Sequence, residues 1–284
     1  MINDVTVTKE DMNEALLALG FEKDSILLTH SSLKSLGKIE GGAPGVIEAL
    51  WRAVPNGTLV FPTLSQKNWS TVFEDWHMDR PSDVGLISET FRTQEGSLRS
   101  NNATHSVAAR GVHASDIVSG PHDKGARFGI FGFYSFSHYS PWQKMYDSRE
   151  KYGVRAYVLF WGVSMMYNTF KHFCEYRFIE KILSDIRNDE EREALKSELG
   201  VYGNAKGTTE ETIMWPFYNS EKFSEVLLAE GIAKKVDLGE GSLIACDIFD
   251  MVNRTERALA EDTENMLHPR IYEWVKRARA AGGN

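Results

Sequence analysis

The sequence predicts an α/β fold, a single domain over residues 1–284 in which helices flank a central, mostly parallel or mixed sheet. Apolar, strand-like runs alternate with amphipathic helical segments along the chain, which is typical of such a fold. With 42% hydrophobic and 25% charged residues, the chain has a globular composition and is long enough to bury a large core. No repeat, low-complexity tract or Pro/Ser-rich linker divides it.

The N-terminal elements carry clear start and stop signals. Thr8 is a helix-capping residue, and Pro55-Asn56-Gly57 is a turn sequence. We therefore predict a helix over Lys9 to Leu19, a strand over Ser25 to Thr29, a helix over Pro44 to Val54 and a strand over Thr58 to Pro62.

The middle of the chain is less regular. The polar, Trp-rich stretch from Gln66 to Pro81 has no period and is predicted as a loop of the length that often carries function. A helix near Leu86 to Thr93 and an apolar segment from Val107 to Ala109 follow. Residues Phe128 to Trp142 contain too many aromatic residues and glycines to be assigned.

The C-terminal part returns to regular patterns. A strand-like run from Val154 to Gly162 precedes a helix that we predict from Asn168 to about Ile186. The later predicted elements are a solvated helical extension over Asp189 to Glu198, a helix over Phe223 to Glu230, a strand around Ile232 to Asp237, a segment over Ser242 to Arg254 and a last basic helix that includes Arg277-Ala278-Arg279.

Charge and cysteine content limit the partners. The net charge of −8 and the lack of a Lys/Arg cluster argue against nucleic acid and favour a cationic small molecule. Cys174 and Cys246 form no CxxC pattern, which indicates neither a zinc site nor a disulfide. The N-terminus lacks a signal-peptide pattern and no apolar run reaches the length of a membrane span, so we expect a cytoplasmic protein.

A proton-transfer site is predicted where the helix after Val154 to Gly162 begins. Thr169, His172 and Glu175 are spaced three apart, so they lie within a third of the helix circumference, on the side of the apolar stripe. A lone inward histidine is most often a buried polar contact. A glutamate one turn later can accept one ring N–H and raise the basicity of the other nitrogen, which favours a general base.

Two further segments follow predicted strands. Ser31 and Ser32 come at the end of a strand, where open α/β sheets bind ligands, although such hydroxyls also serve in turns. Arg110 follows the small residues after His105 and Ser106, and is suited either to a phosphate or to a surface carboxylate.

Several common motifs are missing from the sequence. It has no phosphate-binding G-x-x-x-x-G-K-[ST], no dinucleotide-binding G-x-G-x-x-G after a strand and no G-x-S-x-G nucleophile elbow. The run His172-Phe173-Cys174-Glu175-Tyr176 has Tyr where the zinc pattern H-x-x-E-H needs a second His. We therefore expect no metal.

A set of short motifs in fixed order resembles the aminoglycoside 3-N-acetyltransferase (antibiotic N-acetyltransferase) family. The resemblance extends from about residue 8 to 255. The motifs that carry it are Thr29-His30-Ser31-Ser32-Leu33 with Gly37 and Gly41-Gly42, Gly57-Thr58-Leu59-Val60 with Pro62-Thr63, Ile87-Ser88-Glu89-Thr90-Phe91-Arg92, Arg99-Ser100-Asn101, His105-Ser106-Val107-Ala108-Ala109-Arg110-Gly111, Ser140-Pro141, and Gly162-Val163 leading to Asn168-Thr169-Phe170-Lys171-His172-Phe173-Cys174-Glu175-Tyr176-Arg177.

The resemblance implies a fold distinct from that of the common N-acetyltransferase superfamily, and acetyl transfer from acetyl-coenzyme A (acetyl-CoA) to an amine of an aminoglycoside or related amino sugar. It implies that His172 is the catalytic base, supported by Glu175 and Thr169. Because acetyl-CoA is already an activated acyl donor, we favour direct transfer in a ternary complex over a path through Cys174. The residues that the resemblance places near the coenzyme are Ser31, Ser32, Leu33, His105, Ser106 and Arg110.

The acceptor is less defined by the sequence. The acidic candidates for binding a cationic sugar are Glu74, Asp75, Asp79 and Asp147, although each is equally explained as surface charge. A loop rich in aromatic residues departs from the family and suits a sugar face or a less polar amine; it contains Phe128, Phe131, Phe133, Tyr134, Phe136 and Tyr139. The alternatives are an acyltransferase for a non-aminoglycoside amine in biosynthesis, or a thioesterase or binding relative. Antibiotic resistance and a homodimer are further expectations.

Overall fold

A mixed sheet of seven strands forms the centre of the protein in the computed structural model, which describes residues 6–65, 76–120, 135–203, 217–218 and 220–283. Its strands are β2 (Ile26–Ser31), β4 (Thr58–Pro62), β5 (Leu98–Arg99), β6 (Val107–Gly111), β7 (Ala156–Trp161), β8 (Ala233–Leu238) and β9 (Gly241–Asp247). Two short strands, β1 (Thr6–Val7) and β3 (Lys38–Ile39), pair with each other in parallel as a separate sheet.

Helices cover both faces of this sheet. They are α1 (Lys9–Leu19), α2 (Gly42–Ala53), α3 (Leu86–Thr93), α4 (Ala114–Val118), α5 (Pro141–Tyr146), α6 (Ser148–Lys151), α7 (Phe170–Ser184), α8 (Asp189–Gly203), α9 (Ser220–Ala229), α10 (Ile248–Glu261), α11 (Thr263–Met266) and α12 (Pro269–Ala281). No helix among the described residues has both the length and the apolar character needed to cross a membrane.

The sheet has the order β5-β6-β4-β2-β7-β9-β8. Its three central strands are parallel, since β2 pairs in parallel with β4 and with β7. The two strands that flank them run the other way, since β6 is antiparallel to β4 and β9 is antiparallel to β7. This arrangement confirms the predicted mixed α/β sheet.

The central strands are apolar on both faces, as expected for a parallel sheet that is covered by helices. Side chains alternate between faces, so Ile26 and Leu28 pack into the core formed with α7, α10 and α12. Their neighbour Leu27 packs on the opposite face, in the core formed with α1, α2 and α3. Two cores on one sheet explain why these strands form near-continuous apolar runs in the sequence.

Most predicted elements agree with the structure to within a few residues. The bounds of α1, β4 and α3 are the predicted ones. The predicted segment over Ser242 to Arg254 contains a strand and a helix: β9 ends at Asp247, whose side chain accepts the N–H of Asp250 at 3.2 Å and caps α10. The helix predicted from Asn168 begins at Phe170, whose N–H donates to the Asn168 side chain at 3.0 Å.

The parallel strands β2, β4 and β7 end at the same edge of the sheet. Gly162 follows β7 there with a φ of 66°, and a Cβ on it would lie 2.9 Å from Cγ of Leu36 and 3.1 Å from the carbonyl oxygen of Ser32. Glycine is required at this position because any side chain would push the two strand ends apart.

Candidate active site

A cavity of about 650 Å³ opens at the carboxyl edge of the three parallel strands. The ends of β2, β4 and β7 with the segments that follow them form much of its wall. The start of α3, the residues just before β6 and the first turn of α7 complete it. The described residues that line it are His30, Ser31, Ser32, Ser35, Pro62, Leu64, Val84, Ser88, His105, Gly162, Val163, Ser164, Met166, Tyr167, Thr169, Lys171 and His172.

His172 and Glu175 form a hydrogen-bonded pair on α7. Nδ1 of His172 lies 2.8 Å from Oε2 of Glu175. The imidazole is 17% exposed, toward the cavity that it lines, whereas the carboxylate is completely buried behind it. The other carboxylate oxygen, Oε1, accepts the backbone N–H of Phe217. Both oxygens of Glu175 therefore have a donor, and the ring is held in one orientation.

Burial determines the protonation of this pair. It lowers the pKa of His172 to about 3, and the nearby Lys171 ammonium acts in the same direction. It also raises the pKa of Glu175 well above its usual range, against the opposing effects of the Phe217 N–H and Lys171. The Phe217 N–H donates to one oxygen of Glu175 and the Lys171 ammonium lies nearby, and both favour the ionised carboxylate against the effect of burial. We therefore assign Glu175 as the acceptor and place the ring proton on Nδ1. His172 is therefore neutral near pH 7, with its lone pair on Nε2.

His30, at the end of β2, also lines the cavity. Its Nε2 accepts the backbone N–H of Thr169 at 3.4 Å, and its ring stacks on Phe160 of β7. Burial, with a contribution from Lys171, lowers the pKa of His30 to about 3, so it is a neutral acceptor. It joins the end of β2 to the start of α7. Sequence reasoning gave His30 no role, although it lies between Thr29 and Ser31 in a quoted motif.

His105 reaches the cavity because β6 is antiparallel to β4. Val107, the first residue of β6, lies opposite Pro62, the last residue of β4, so the residues just before β6 are at the carboxyl edge. The His105 ring contacts Phe136 edge-on at 4.8 Å and lies 6.1 Å from the His172 ring, both measured between ring centroids. Three imidazoles, those of His30, His105 and His172, therefore line one cavity.

Comparison with known proteins connects this site to a family. Residues 28–260 match the aminoglycoside 3-N-acetyltransferase family. The chain belongs to that family. It is 32% identical over 200 residues to the SPbeta prophage-derived aminoglycoside N(3')-acetyltransferase-like protein YokD of Bacillus subtilis (strain 168), a match that covers 62% of this chain and 68% of YokD.

Solved structures give the same result for the fold. The apoenzyme of the aminoglycoside acetyltransferase AAC(3)-IVa superposes with a TM-score of 0.67 at 23% identity, over 98% of this chain and 99% of that chain. The binary complex of AAC-IIIb with CoASH has a TM-score of 0.65 at 18% identity, over 90% and 97%. The family match confirms the predicted acetyl-CoA-dependent N-acetyltransferase.

The coenzyme residues implied by the resemblance to the acetyltransferase family divide into two groups. Ser31, Ser32 and His105 line the cavity. Leu33 packs against the core beneath α1 and α2, and Ser106 is buried, with its hydroxyl donating to the carbonyl oxygen of Thr63 at 2.9 Å. Leu33 and Ser106 do not line the described wall of the cavity.

Arg110 lies away from the cavity. It pairs with Leu59 near the start of β4, which is the opposite edge of the sheet from the cavity. Its guanidinium donates to the side chain of Gln94 at 3.1 Å and stacks over Trp51 at 5.0 Å. The antiparallel direction of β6, which a short apolar run does not reveal, carries Arg110 away from His105.

The acidic candidates for the acceptor do not line the described part of the cavity. Glu74 and Asp75 lie outside the described residues. Asp79 is exposed and is not in the cavity wall. The carboxylate of Asp147 accepts a hydrogen bond from the Gln143 side-chain amide at 2.7 Å. Two residues later in the chain, Arg149 forms an ion pair with Asp247, which lies opposite Tyr157 near the start of β7. Asp147 is therefore near the edge of the sheet opposite the cavity.

The aromatic loop that departs from the family contributes one residue to the described site. Phe136 is buried, and its ring centroid lies 5.9 Å from that of His172 and 5.9 Å from that of Trp142. Tyr139 is exposed. The remaining four aromatic residues, which are Phe128, Phe131, Phe133 and Tyr134, lie outside the described residues.

The two cysteines take no part in the described cavity wall. Cys174 and Cys246 are free and buried. Burial raises the pKa of both thiols. Within the described ranges, no three His, Cys, Asp or Glu side chains group in a way that would hold a metal ion.

Proposed function

We propose that His172 is the general base in the transfer of an acetyl group from acetyl-CoA to an amine of an aminoglycoside or related amino sugar. The observation that carries this proposal is the 2.8 Å contact between Nδ1 of His172 and the buried Glu175, which directs the basic Nε2 into the cavity. Thr169, one turn earlier in the same wall, is a candidate to align the amine or a relay water.

The chemistry requires such a base. An alkyl ammonium has no lone pair, so the amine must react in its neutral form. As its nitrogen bonds to the thioester carbon, its proton passes to Nε2 of His172 and the carbonyl electron pair moves to oxygen. Glu175 stabilises the charge that the ring gains. When the C–S bond breaks, the carbonyl forms again and the proton moves from His172 to sulfur, giving an amide and a free thiol.

Direct transfer in a ternary complex fits the described residues better than an acyl-enzyme. Acetyl-CoA is already an activated donor, so no covalent intermediate is needed. Cys174 is on the buried side of α7, with a pKa raised by burial, and it does not line the described cavity wall. A thiol that is neither ionised nor accessible is a poor nucleophile.

The coenzyme is best accommodated at the ends of β2 and β7. Ser31 Oγ is buried in the wall of the cavity and has no hydrogen-bond partner among the described residues, so a ligand can satisfy it. Ser32 and Gly162 lie beside it in the same wall. These three residues fit the acyl end of a thioester near Nε2 of His172.

The proposed acceptor is defined only as a class of amine. The net charge of −8 favours a cationic amine. Lys171 is the only charged side chain in the described wall, because its three histidines are neutral. Carboxylates that bind a polycationic sugar must therefore come from elsewhere in the chain. A biosynthetic amine with less positive charge is therefore the second candidate. A cytoplasmic location, a role in antibiotic resistance and a homodimer stay predictions.

A thiol-release assay tests this function. Purified protein with acetyl-CoA is offered aminoglycosides, singly charged amino sugars and no acceptor, and released thiol is compared with the acetylated product measured by mass spectrometry. We expect release that depends on an amine and matches the amide formed. Release at the same rate without any amine would instead identify a thioesterase, and no release with any amine would contradict the transferase.

A further inference from the structure

His105 and His172 are two partly buried imidazoles that line one cavity with different hydrogen-bond partners. Their ring centroids are 6.1 Å apart and their planes meet at 71°. Nδ1 of His172 meets the carboxylate of Glu175, whereas Nδ1 of His105 meets the hydroxyl of Thr104 at 2.8 Å. A carboxylate only accepts hydrogen bonds, but a hydroxyl can donate. The two rings can therefore carry their protons on different nitrogens.

The surroundings of Thr104 decide which way its hydroxyl points. The side-chain oxygen of Asn102 already accepts two backbone N–H groups, from Thr104 at 3.1 Å and from His105 at 2.7 Å. The Thr104 hydroxyl is within donating distance of that oxygen too, at 3.2 Å, but there it would be a third donor to an oxygen with two lone pairs. Its contact with Nδ1 of His105 is shorter, and we assign the hydroxyl proton to that contact.

A neutral imidazole that accepts at Nδ1 carries its proton on Nε2. His105 is neutral, because burial, with a small effect of His172, lowers its pKa to about 3. Its Nε2–H has no partner among the described residues, and the ring lines the cavity. His105 thus presents a donor where His172 presents a lone pair.

We propose that His105 is a second catalytic residue, whose Nε2–H donates a hydrogen bond to the thioester carbonyl oxygen as negative charge develops on it. The inference rests on the proposed function, in which His172 takes the proton of the attacking amine. One imidazole then removes a proton while the other binds the oxyanion, and neither changes its tautomer during the attack.

Other features of the site support this role. The backbone N–H of Ser32, another donor in the cavity wall, already donates to the carbonyl oxygen of Trp161 at 2.9 Å and is not free for an oxyanion. The His105 ring is held by Thr104 and by the edge contact with Phe136, so it does not reorganise when charge appears. A fixed donor in a partly desolvated site is the kind that stabilises an oxyanion most.

Three variants test the inference. His105→Phe keeps a ring against Phe136 but removes the donor, and His105→Gln keeps a donor at about the position of Nε2. Thr104→Val leaves the imidazole in place but removes the hydroxyl that fixes its tautomer. With the amine found in the thiol-release assay, we measure kcat and the acid limb of the pH profile, which is the fall of kcat/KM at low pH. Calorimetry gives the affinity for CoASH.

The expected result is a loss of kcat of about 10²–10³-fold in His105→Phe, the size found when one oxyanion donor is removed. CoASH affinity and the acid limb stay as in the wild type. His105→Gln recovers part of the rate, and Thr104→Val shows a smaller loss than His105→Phe. If His105→Phe does not fold, these two variants carry the test alone.

Three results would overturn the inference. A His105→Phe enzyme with wild-type kcat removes His105 from the reaction. A loss of CoASH affinity at unchanged kcat makes it a coenzyme-binding residue only. A displaced acid limb makes it a titrating base. In each case His172 is assessed separately by its own alanine variant, so the inference can fail while the proposed function stands.

Discussion

The carboxylate of Glu175 has one hydrogen bond for each oxygen, one from Nδ1 of His172 and one from the backbone N–H of Phe217. The second bond joins α7 to a residue 42 positions later in the chain. Because each donor needs its own oxygen, replacing this carboxylate by its amide removes one of the two hydrogen bonds.

Glu175→Gln is therefore expected to lower both activity and stability. Glutamine has one acceptor oxygen for two donors, so one buried N–H loses its partner at a cost of about 1–3 kcal/mol. If its amide N–H₂ faces the ring, it donates to Nδ1 and moves the proton to Nε2, which removes the base. Thermal unfolding and kcat measure the two effects. Glu180→Gln, on the same helix but partly exposed, is the matched control; an unchanged kcat in Glu175→Gln would contradict the role of the pair.

The pH dependence of kcat/KM is expected to have two origins. His172 must be unprotonated to act, so the rate falls as the pH drops through its pKa. Since burial holds that pKa below the usual 6.5, this acid limb lies below pH 6.5. The rise at higher pH belongs to the substrate ammonium, which must lose its proton.

Lys171→Met is expected to move the acid limb to higher pH. The Lys171 ammonium lowers the pKa of His172, so its removal raises that pKa and the base is lost earlier on acidification. Profiles of kcat/KM from about pH 4 to about pH 9 show the shift. Lys181→Met, on the exposed side of the same helix, is the control. A limb that stays in place or moves to lower pH contradicts the electrostatic account.

Ser32→Trp is expected to raise the KM for acetyl-CoA far more than the KM for the amine. Ser32 lines the cavity at the end of β2, where the coenzyme is proposed to lie, and an indole there would fill the space beside Gly162. Calorimetric titration with CoASH gives an independent affinity. A CoASH affinity equal to that of the wild type would place the coenzyme elsewhere.

Arg110→Ala is expected to leave the KM for acetyl-CoA unchanged while lowering stability. The guanidinium stacks over Trp51 and Phe91 at the edge of the sheet opposite the cavity, contacts that contribute about 0.5–1 kcal/mol each. Thermal unfolding measures the stability loss. A rise in the KM for acetyl-CoA would mean that Arg110 binds the coenzyme after all, as the sequence resemblance implied.

The bounds of helices and strands were predicted well because the residues that start and end an element lie next to it in the sequence. The bounds of α1 agree since Thr8 forms a capping box with Asp11, and those signals lie within four residues. The pairing of His172 with Glu175 was predictable for the same reason, because positions three apart meet on a helix whatever else the chain does.

Relationships that pass through the sheet were not predictable in this way. The contact of His30 with Thr169 depends on the register of β2 against β7, and the separation of His105 from Arg110 depends on the direction of β6. Neither register nor direction is encoded in a run of five or six apolar residues. The contact of Thr104 with His105 is between neighbours in the sequence. Which of the two groups donates the hydrogen bond depends on the donors that already bind the side-chain oxygen of Asn102.

The most direct test of the central claim is the rate of acetyl transfer by His172→Ala, measured in a single turnover with saturating acetyl-CoA and amine, beside its CoASH affinity. The account predicts a loss of about 10²–10⁴-fold in rate, the contribution of a positioned general base, at wild-type CoASH affinity. A transfer rate close to that of the wild type would remove His172 from the mechanism and contradict the account.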